Sequence, residues 1–251
     1  MLSKQEIARL RGLSRQRRER RAAGRFLVEG EKLVAEVLAS GLTVHQVIHS
    51  SVWKAPAGIE ASVAEVADHV IERISSTSTP QPVVAEVEIP EGEWRGLDRA
   101  APVLAALDLN DPGNVGTMAR SAEAAGFGAL IVLGATADPW GPKTVRASAG
   151  ALFRLAVIEE ADAAAGLAHL SELGFRRIGT RMHNAPPCDS IDLTGAIAIV
   201  LGSEAHGLEP THHAGIDSWA SIPMAGDLES LNVAMAGTIL TYETARQRRH
   251  A

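Results

Sequence analysis

The chain has 251 residues, 46% of them hydrophobic, and a formal net charge of −6. That length suits one large or two small domains around a full apolar core, and no apolar run approaches the ~20 residues that a membrane span needs. A single cysteine, Cys188, excludes an internal disulfide and a cysteine-rich zinc site, and the N-terminal arginines precede no apolar block of the signal-peptide kind, so a soluble, cytoplasmic protein is expected.

Residues 3–22 read as a polar helix. Between Lys4 and Arg25 stand nine cations (Lys4, Arg9, Arg11, Arg15, Arg17, Arg18, Arg20, Arg21, Arg25) against Glu6 and Glu19. Such a basic N-terminal arm neutralises phosphates and gives salt-sensitive affinity for RNA without reading sequence. It reads equally well as a solvated helix face, and both readings stand. The stretch Phe26 to Glu31 leads into an amphipathic helix, Lys32 to Ala39, with Leu33, Val34, Val37 and Leu38 at helical spacing. A strand follows at Val44 to His49. The region 51–80 carries weaker strand and helix signals and ends in the turn-rich loop Ser75 to Pro82, before a strand at Val83 to Ile89. These elements predict a small α/β domain over 1–95. Pro90 to Pro102 has linker composition, which sets the boundary near residue 95.

From Val103 the pattern alternates: strand 103–109, helix 115–125, strand 129–134, helix 142–152, strand 154–158, helix 162–173, strand 175–181, strand 196–201, strand 218–222 and helix 230–248. Alternation of this kind predicts a mainly parallel sheet covered on both faces, over a second domain at 101–251. The continuous apolar run Ile197 to Leu201 agrees, because strands buried on both sides need not alternate.

Three late segments carry the chemistry: Val200 to Leu208 (VLGSEAHGL), Ser221 to Gly226 (SIPMAG) and Ser230 to Ala236 (SLNVAMA). The first two run from a short apolar strand into a turn, and in the third a helix opens at Ser230, whose hydroxyl suits an N-cap. Loops at the carboxyl ends of strands are where α/β proteins hold small ligands. Upstream lies Asp108 to Arg120 (DLNDPGNVGTMAR), followed by Ser121 to Gly126. Asn114 is placed just before a helix and Arg120 in its second turn, an arrangement for a phosphate at a helix start or simply a cap and a surface cation. Glu204, between Gly202 and Gly207, is either an acceptor for Arg120 or Asn114 or a solvent-facing loop acid. Lys143 and Arg146 put two cations near a helix start, facing an RNA phosphate or solvent, and Trp140 either stacks on a base or fills a packing gap. The nine histidines form no metal signature, and neither a Walker loop nor a dinucleotide fingerprint is present.

In order and spacing, these segments resemble the signature motifs of the SpoU (TrmH-type) RNA ribose 2′-O-methyltransferases, members of the SPOUT class. The resemblance runs from Ala101 to the C-terminus and, more weakly, from Arg20 to Val87. Ser121 departs from it, standing where threonine is usual. It implies a deep trefoil knot in the C-terminal third and S-adenosylmethionine as cofactor, without a metal. It assigns Asn114, Arg120, Glu204, Ser230 and Asn232 to catalysis and Thr180, Leu201, Gly202, Ile222, Met224 and Leu231 to cofactor contact. It further implies a homodimer in which the last helix, with Ala234, Ala236 and Ile239, is partly intersubunit. Gly24 to Glu31 and Ser76 to Gln81 resemble the substrate-binding domain of ribosomal-RNA members, so 23S ribosomal RNA is favoured over transfer RNA. The rivals are a non-catalytic RNA-binding member of the fold and a dinucleotide-dependent oxidoreductase.

Overall fold

Ser3 starts the first helix with a reciprocal capping box, its hydroxyl accepting from the Glu6 backbone N–H while its own N–H donates to the Glu6 carboxylate. The expected helix over 3–22 breaks at Gln16, which is extended, giving α1 (Lys4–Arg15) and α2 (Arg17–Ala23). The break is stabilised by Arg20, whose buried guanidinium donates to the Leu13 carbonyl at 2.6 Å. The computed structural model describes residues 2–203, 206–226 and 230–251, and the chain divides into two compact units.

The first unit comprises the residues up to Pro90 together with Trp140–Arg154. After α2 come β1 (Arg25–Glu29), α3 (Glu31–Ala39), β2 (Val44–His49), β3 (Ser62–Glu65), α4 (Asp68–Ile74) and β4 (Val83–Glu88). Strand β1 lies in the stretch expected only to lead into a helix. The sheet order is β1-β4-β2-β3, with β4 antiparallel to both neighbours and β2 parallel to β3. Ile7, Leu10 and Leu13 of α1 and Ile71 and Ile74 of α4 join Leu27, Ile48 and Val84 in one buried cluster. The basic segment is therefore a pair of packed helices rather than an arm. Two of its cations, Arg9 and Arg25, converge on the buried carboxylate of Glu86.

Strand β1 turns Phe26 toward Trp140 and Phe153, at ring-centroid distances of 4.8 and 6.3 Å. Trp140 is buried, so of its two readings the packing one holds. Here the structure departs from a second domain running unbroken from 101, because residues 140–154 belong with the first unit. Within them α6 (Pro142–Ser148) is shorter than the expected helix over 142–152, ending where Ala149 and Gly150 both adopt left-handed backbone, at φ 49° and 90°.

The second unit comprises Glu91–Pro139 and Leu155–Ala251. Its elements are β5 (Val103–Leu107), α5 (Pro112–Ala124), β6 (Ala129–Leu133), then β7 (Ala156–Glu160), α7 (Ala163–Glu172), β8 (Arg176–Thr180), β9 (Ile197–Leu201), β10 (Ser218–Ala220) and α8 (Val233–Arg248). The six strands are all parallel, in the order β10-β8-β9-β5-β6-β7. Every residue of β5, β6 and β9 is buried, the two-sided burial that their apolar runs predict. Gly237 lets α8 close on α5, since a Cβ there would meet Met118 at 3.3 Å, and Ser121 and Thr238 share a hydroxyl hydrogen bond of 2.7 Å across the same seam.

Candidate functional site

Three chain segments leave the carboxyl ends of β8, β9 and β10 and meet. The segment after β8 is zipped to the one after β10: the Ser221 N–H donates to the Pro186 carbonyl, the Cys188 N–H to the Ser221 carbonyl, and the Ser221 hydroxyl to the Ala185 carbonyl, at 2.9, 2.8 and 3.0 Å. After β9 the chain turns back so sharply that the Gly207 N–H donates to the Ser203 carbonyl at 2.9 Å. Gly202 makes that return possible, because a Cβ on it would lie 2.2 Å from the backbone of Gly207. The walls form a cavity of about 550 Å³ lined by Thr180, Leu201, Gly202, Ile222, Met224 and Leu231, and also by Ser230. These are the six positions assigned to the cofactor and one of those assigned to catalysis.

The catalytic candidates are distributed less simply. Asn114 lies inside α5 rather than before it, because Asp111 caps the helix by accepting from the Gly113 N–H and Pro112 supplies a preset φ at its first position. Arg120 accordingly falls in a later turn than expected, exposed on α5 and outside the cavity lining. Helix α8 opens at Asn232 rather than Ser230: the Asn232 side-chain oxygen accepts from the Ala234 and Met235 N–H groups at 2.9 and 3.3 Å. The other end of the same amide, Nδ2, donates to Asn114 Oδ1 at 3.2 Å. Two motifs more than a hundred residues apart in sequence are thereby joined at the head of α8. Glu204 lies outside the described residues, as do Asp227 to Glu229.

Several groups that sequence reasoning did not single out complete the surroundings. Asp108, at the end of β5, adopts a left-handed backbone (φ 56°), accepts from the Ala135 N–H at 2.7 Å and faces His212 at 3.6 Å. His213, its neighbour, lines the cavity and lies 3.0 Å by Nε2 from the Leu208 carbonyl. Arg181, next to Thr180, lines it too, with its guanidinium over the Trp219 ring. The adjacent histidines thus turn to different partners. Among the described residues no group of three or more His, Cys, Asp or Glu side chains converges as a metal site would.

The cavity also passes a test for an adenosyl cofactor. Its volume falls within the ~300–1,000 Å³ of small-molecule sites, and glycine backbone with Leu201, Ile222 and Leu231 gives close approach to an aromatic base. An open parallel sheet with its cavity at the strand ends defines an α/β ligand-binding enzyme fold. Comparison with known proteins gives the family: residues 101–242 match the SpoU rRNA methylase family and residues 4–85 the MRM3-like substrate binding domain. The chain belongs to the SpoU rRNA methylase family. It is 32% identical to the 23S rRNA (guanosine(2553)-2'-O)-methyltransferase RlmP of Bacillus subtilis, over 90% of each chain. It is also 32% identical to the 23S rRNA (uridine(2479)-2'-O)-methyltransferase of Streptomyces viridochromogenes, over 92% of this chain and 86% of that one. The crystal structure of the SpoU methyltransferase AviRb from Streptomyces viridochromogenes, in complex with the cofactor AdoMet, superposes with a TM-score of 0.89 at 27% identity over 98% of both chains.

Proposed function

We propose that this protein transfers a methyl group from S-adenosylmethionine to a ribose 2′-hydroxyl of 23S ribosomal RNA, in the cytoplasm. The observation that carries the reading is that all six cofactor positions line one cavity, with Val233 and Ala236 of α8 in the same wall and Asn232, which reaches Asn114, next to them in sequence. Ribosomal RNA is favoured over transfer RNA because the match extends through the N-terminal substrate-binding domain and because curated relatives over nine-tenths of the chain act on 23S RNA. When bound, the cofactor supplies a methyl group on a sulfonium, which is reactive without further activation.

The protein's part is orientation and charge. Asn232 spends its oxygen on the helix and its nitrogen on Asn114, so it acts as a positioning residue for Asn114. A guanidinium stays protonated at any ordinary pH, which makes Arg120 a stabiliser of the developing alkoxide or a grip on the adjacent phosphate rather than a base. Glu204 is proposed to orient Arg120, and Ser230, in the cavity wall, to hold the ribose. On the first unit, Lys143 and Arg146 are exposed, and Arg146 reaches Ser76 at 3.4 Å. This cationic surface beside the 75–81 loop suits an RNA backbone.

Labelled methyl transfer to unmodified 23S RNA and to transfer RNA tests the proposal. Label in the 23S pool, resistant to alkali at one linkage and lost with Arg120→Ala, is the expected result; label only in transfer RNA, or in a base, overturns it.

The reading includes the trefoil knot, supported by the place of β8 between β10 and β9 and by the zipping of the segments that follow β8 and β10. It also includes a homodimer. Met235, Ile239 and Tyr242 are 62%, 40% and 64% exposed and fall along one side of α8, an apolar stripe suited to a second copy. The stripe differs from the one anticipated: Ala234 is buried and Ala236 faces the cavity, leaving Ile239 alone of the three outside. Sedimentation equilibrium should give twice the chain mass, and Ile239→Glu should shift the protein toward monomer; a monomeric wild type at micromolar concentration removes the dimer from the proposal.

A further inference from the structure

Arg181 follows Thr180 directly at the end of β8 and lines the cavity. Its guanidinium carbon lies 3.4 Å from the centre of the Trp219 ring, and its Nη2 lies 3.4 Å from His213 Nδ1. His213 meets Trp219 edge-on, with ring centroids 4.8 Å apart, and its Nε2 is 3.0 Å from the Leu208 carbonyl oxygen. A carbonyl oxygen only accepts, so Nε2 carries the ring hydrogen and Nδ1 offers a lone pair to the guanidinium. Leu208, His213, Trp219 and Arg181 come from the turn after β9, the loop before β10, β10 itself and the end of β8. Together they hold one cation at the cavity wall.

Among the described residues no carboxylate is paired with that cation. Among the described residues lining the cavity there is no aspartate or glutamate, whereas Arg181, His183, His206 and His213 all face it. Stacking on an indole holds a guanidinium without consuming its N–H groups, and a single imidazole acceptor occupies one of five. The remaining donors form a rigid fork whose natural complement is a two-oxygen anion, a carboxylate above all.

We propose that Arg181 binds the α-carboxylate at the amino-acid end of S-adenosylmethionine, an inference that rests on reading this cavity as the cofactor site. The carboxylate is the only anionic group of that molecule. The apolar wall of Leu201, Ile222 and Leu231 then serves the nucleoside, and the Arg181–Trp219 pair serves the opposite end.

Calorimetric titration of the full-length protein with two probes tests this. S-adenosylhomocysteine carries the carboxylate; 5′-methylthioadenosine has the same nucleoside and thioether without the amino acid. Arg181→Ala should weaken S-adenosylhomocysteine by roughly tenfold or more, the scale of a charge-assisted hydrogen-bonded pair, and leave 5′-methylthioadenosine within about twofold. Arg181→Lys should recover part of the loss, as a point charge without the fork. Equal weakening of both probes overturns the proposal and makes Arg181 a support for cavity shape. Unchanged binding of both, with a loss only in affinity for RNA, overturns it in favour of a phosphate contact. Wild-type protein that binds neither probe overturns the cofactor reading of the cavity itself, and the inference with it.

Discussion

Asn232 uses both ends of its side-chain amide, one to cap α8 and one to hold Asn114. The two uses separate by substitution. Asn232→Asp keeps an oxygen that caps as well as asparagine but replaces the donor with an acceptor facing Asn114 Oδ1, so turnover should fall at nearly unchanged melting temperature. Asn232→Ala loses the cap as well and should cost about 1 kcal/mol in addition. Methyl-transfer rates and thermal melts on the same preparations decide it; equal activity of wild type and Asn232→Asp would sink the positioning role. At this scale the sequence pointed to residues that the structure gathers around one cavity, as with Thr180, Gly202, Ile222 and Leu231. It missed the cap, expected at Ser230, since serine and asparagine cap equally well; Asn232 takes that place and is held by Asn114 across the fold. Arg181 and His213 were illegible, because their contacts are with Trp219 and Leu208, which reach them only through the fold.

Among the elements, the N-terminal helices show how part of a charged segment can be architecture. Glu86 is 1% exposed on β4 and would be pushed up by burial, but hydrogen bonds from Arg9, Gln46 and Arg25 outweigh that and hold its pKa at about 2, against an ordinary 4.5. A carboxylate whose folded pKa is depressed adds stability above its unfolded pKa and loses it as pH falls through the folded one. The window is therefore pH 4.5 down to about 2, and the contribution at neutral pH is roughly 3 kcal/mol. Melting temperature should drop through this window in the wild type and respond more weakly in Glu86→Gln, which is less stable at pH 7; parallel pH profiles would contradict the assignment. The parallel sheet was readable in advance from the apolar runs of β5, β6 and β9. Strand β1 was hidden because Phe26 to Val28 is short and runs straight into a helical pattern. The break at Gln16 carries no proline or glycine at the break itself, and the stabilising hydrogen bond from Arg20 is formed only on folding. Strand β3 is largely exposed and so has almost no alternation to read.

At the level of the whole molecule, the first unit is assembled from two separated stretches of chain. The linker composition of Pro90 to Pro102 overlaps one crossing between the units, at 90–91, but the crossings at 139–140 and 154–155 have no such signature, since Trp140 and Phe153 meet Phe26 only once the chain has folded. A fragment of residues 1–95 should retain the four-stranded sheet yet uncover Phe26, fully buried in the intact chain, at a cost of about 1.5–3 kcal/mol. Appending residues 140–154 through a glycine–serine linker should raise its denaturation midpoint, and identical midpoints for the two fragments would count against the excursion as part of that unit.

The same excursion sets a rule for exchange between relatives. A single crossover near residue 95 would transplant one parent's Phe26 beneath the other parent's Trp140 and Phe153, mixing two lineages inside one aromatic cluster. The heritable module here is discontinuous, and a chimera that respects it needs three junctions, with residues 140–154 travelling alongside the N-terminal ninety.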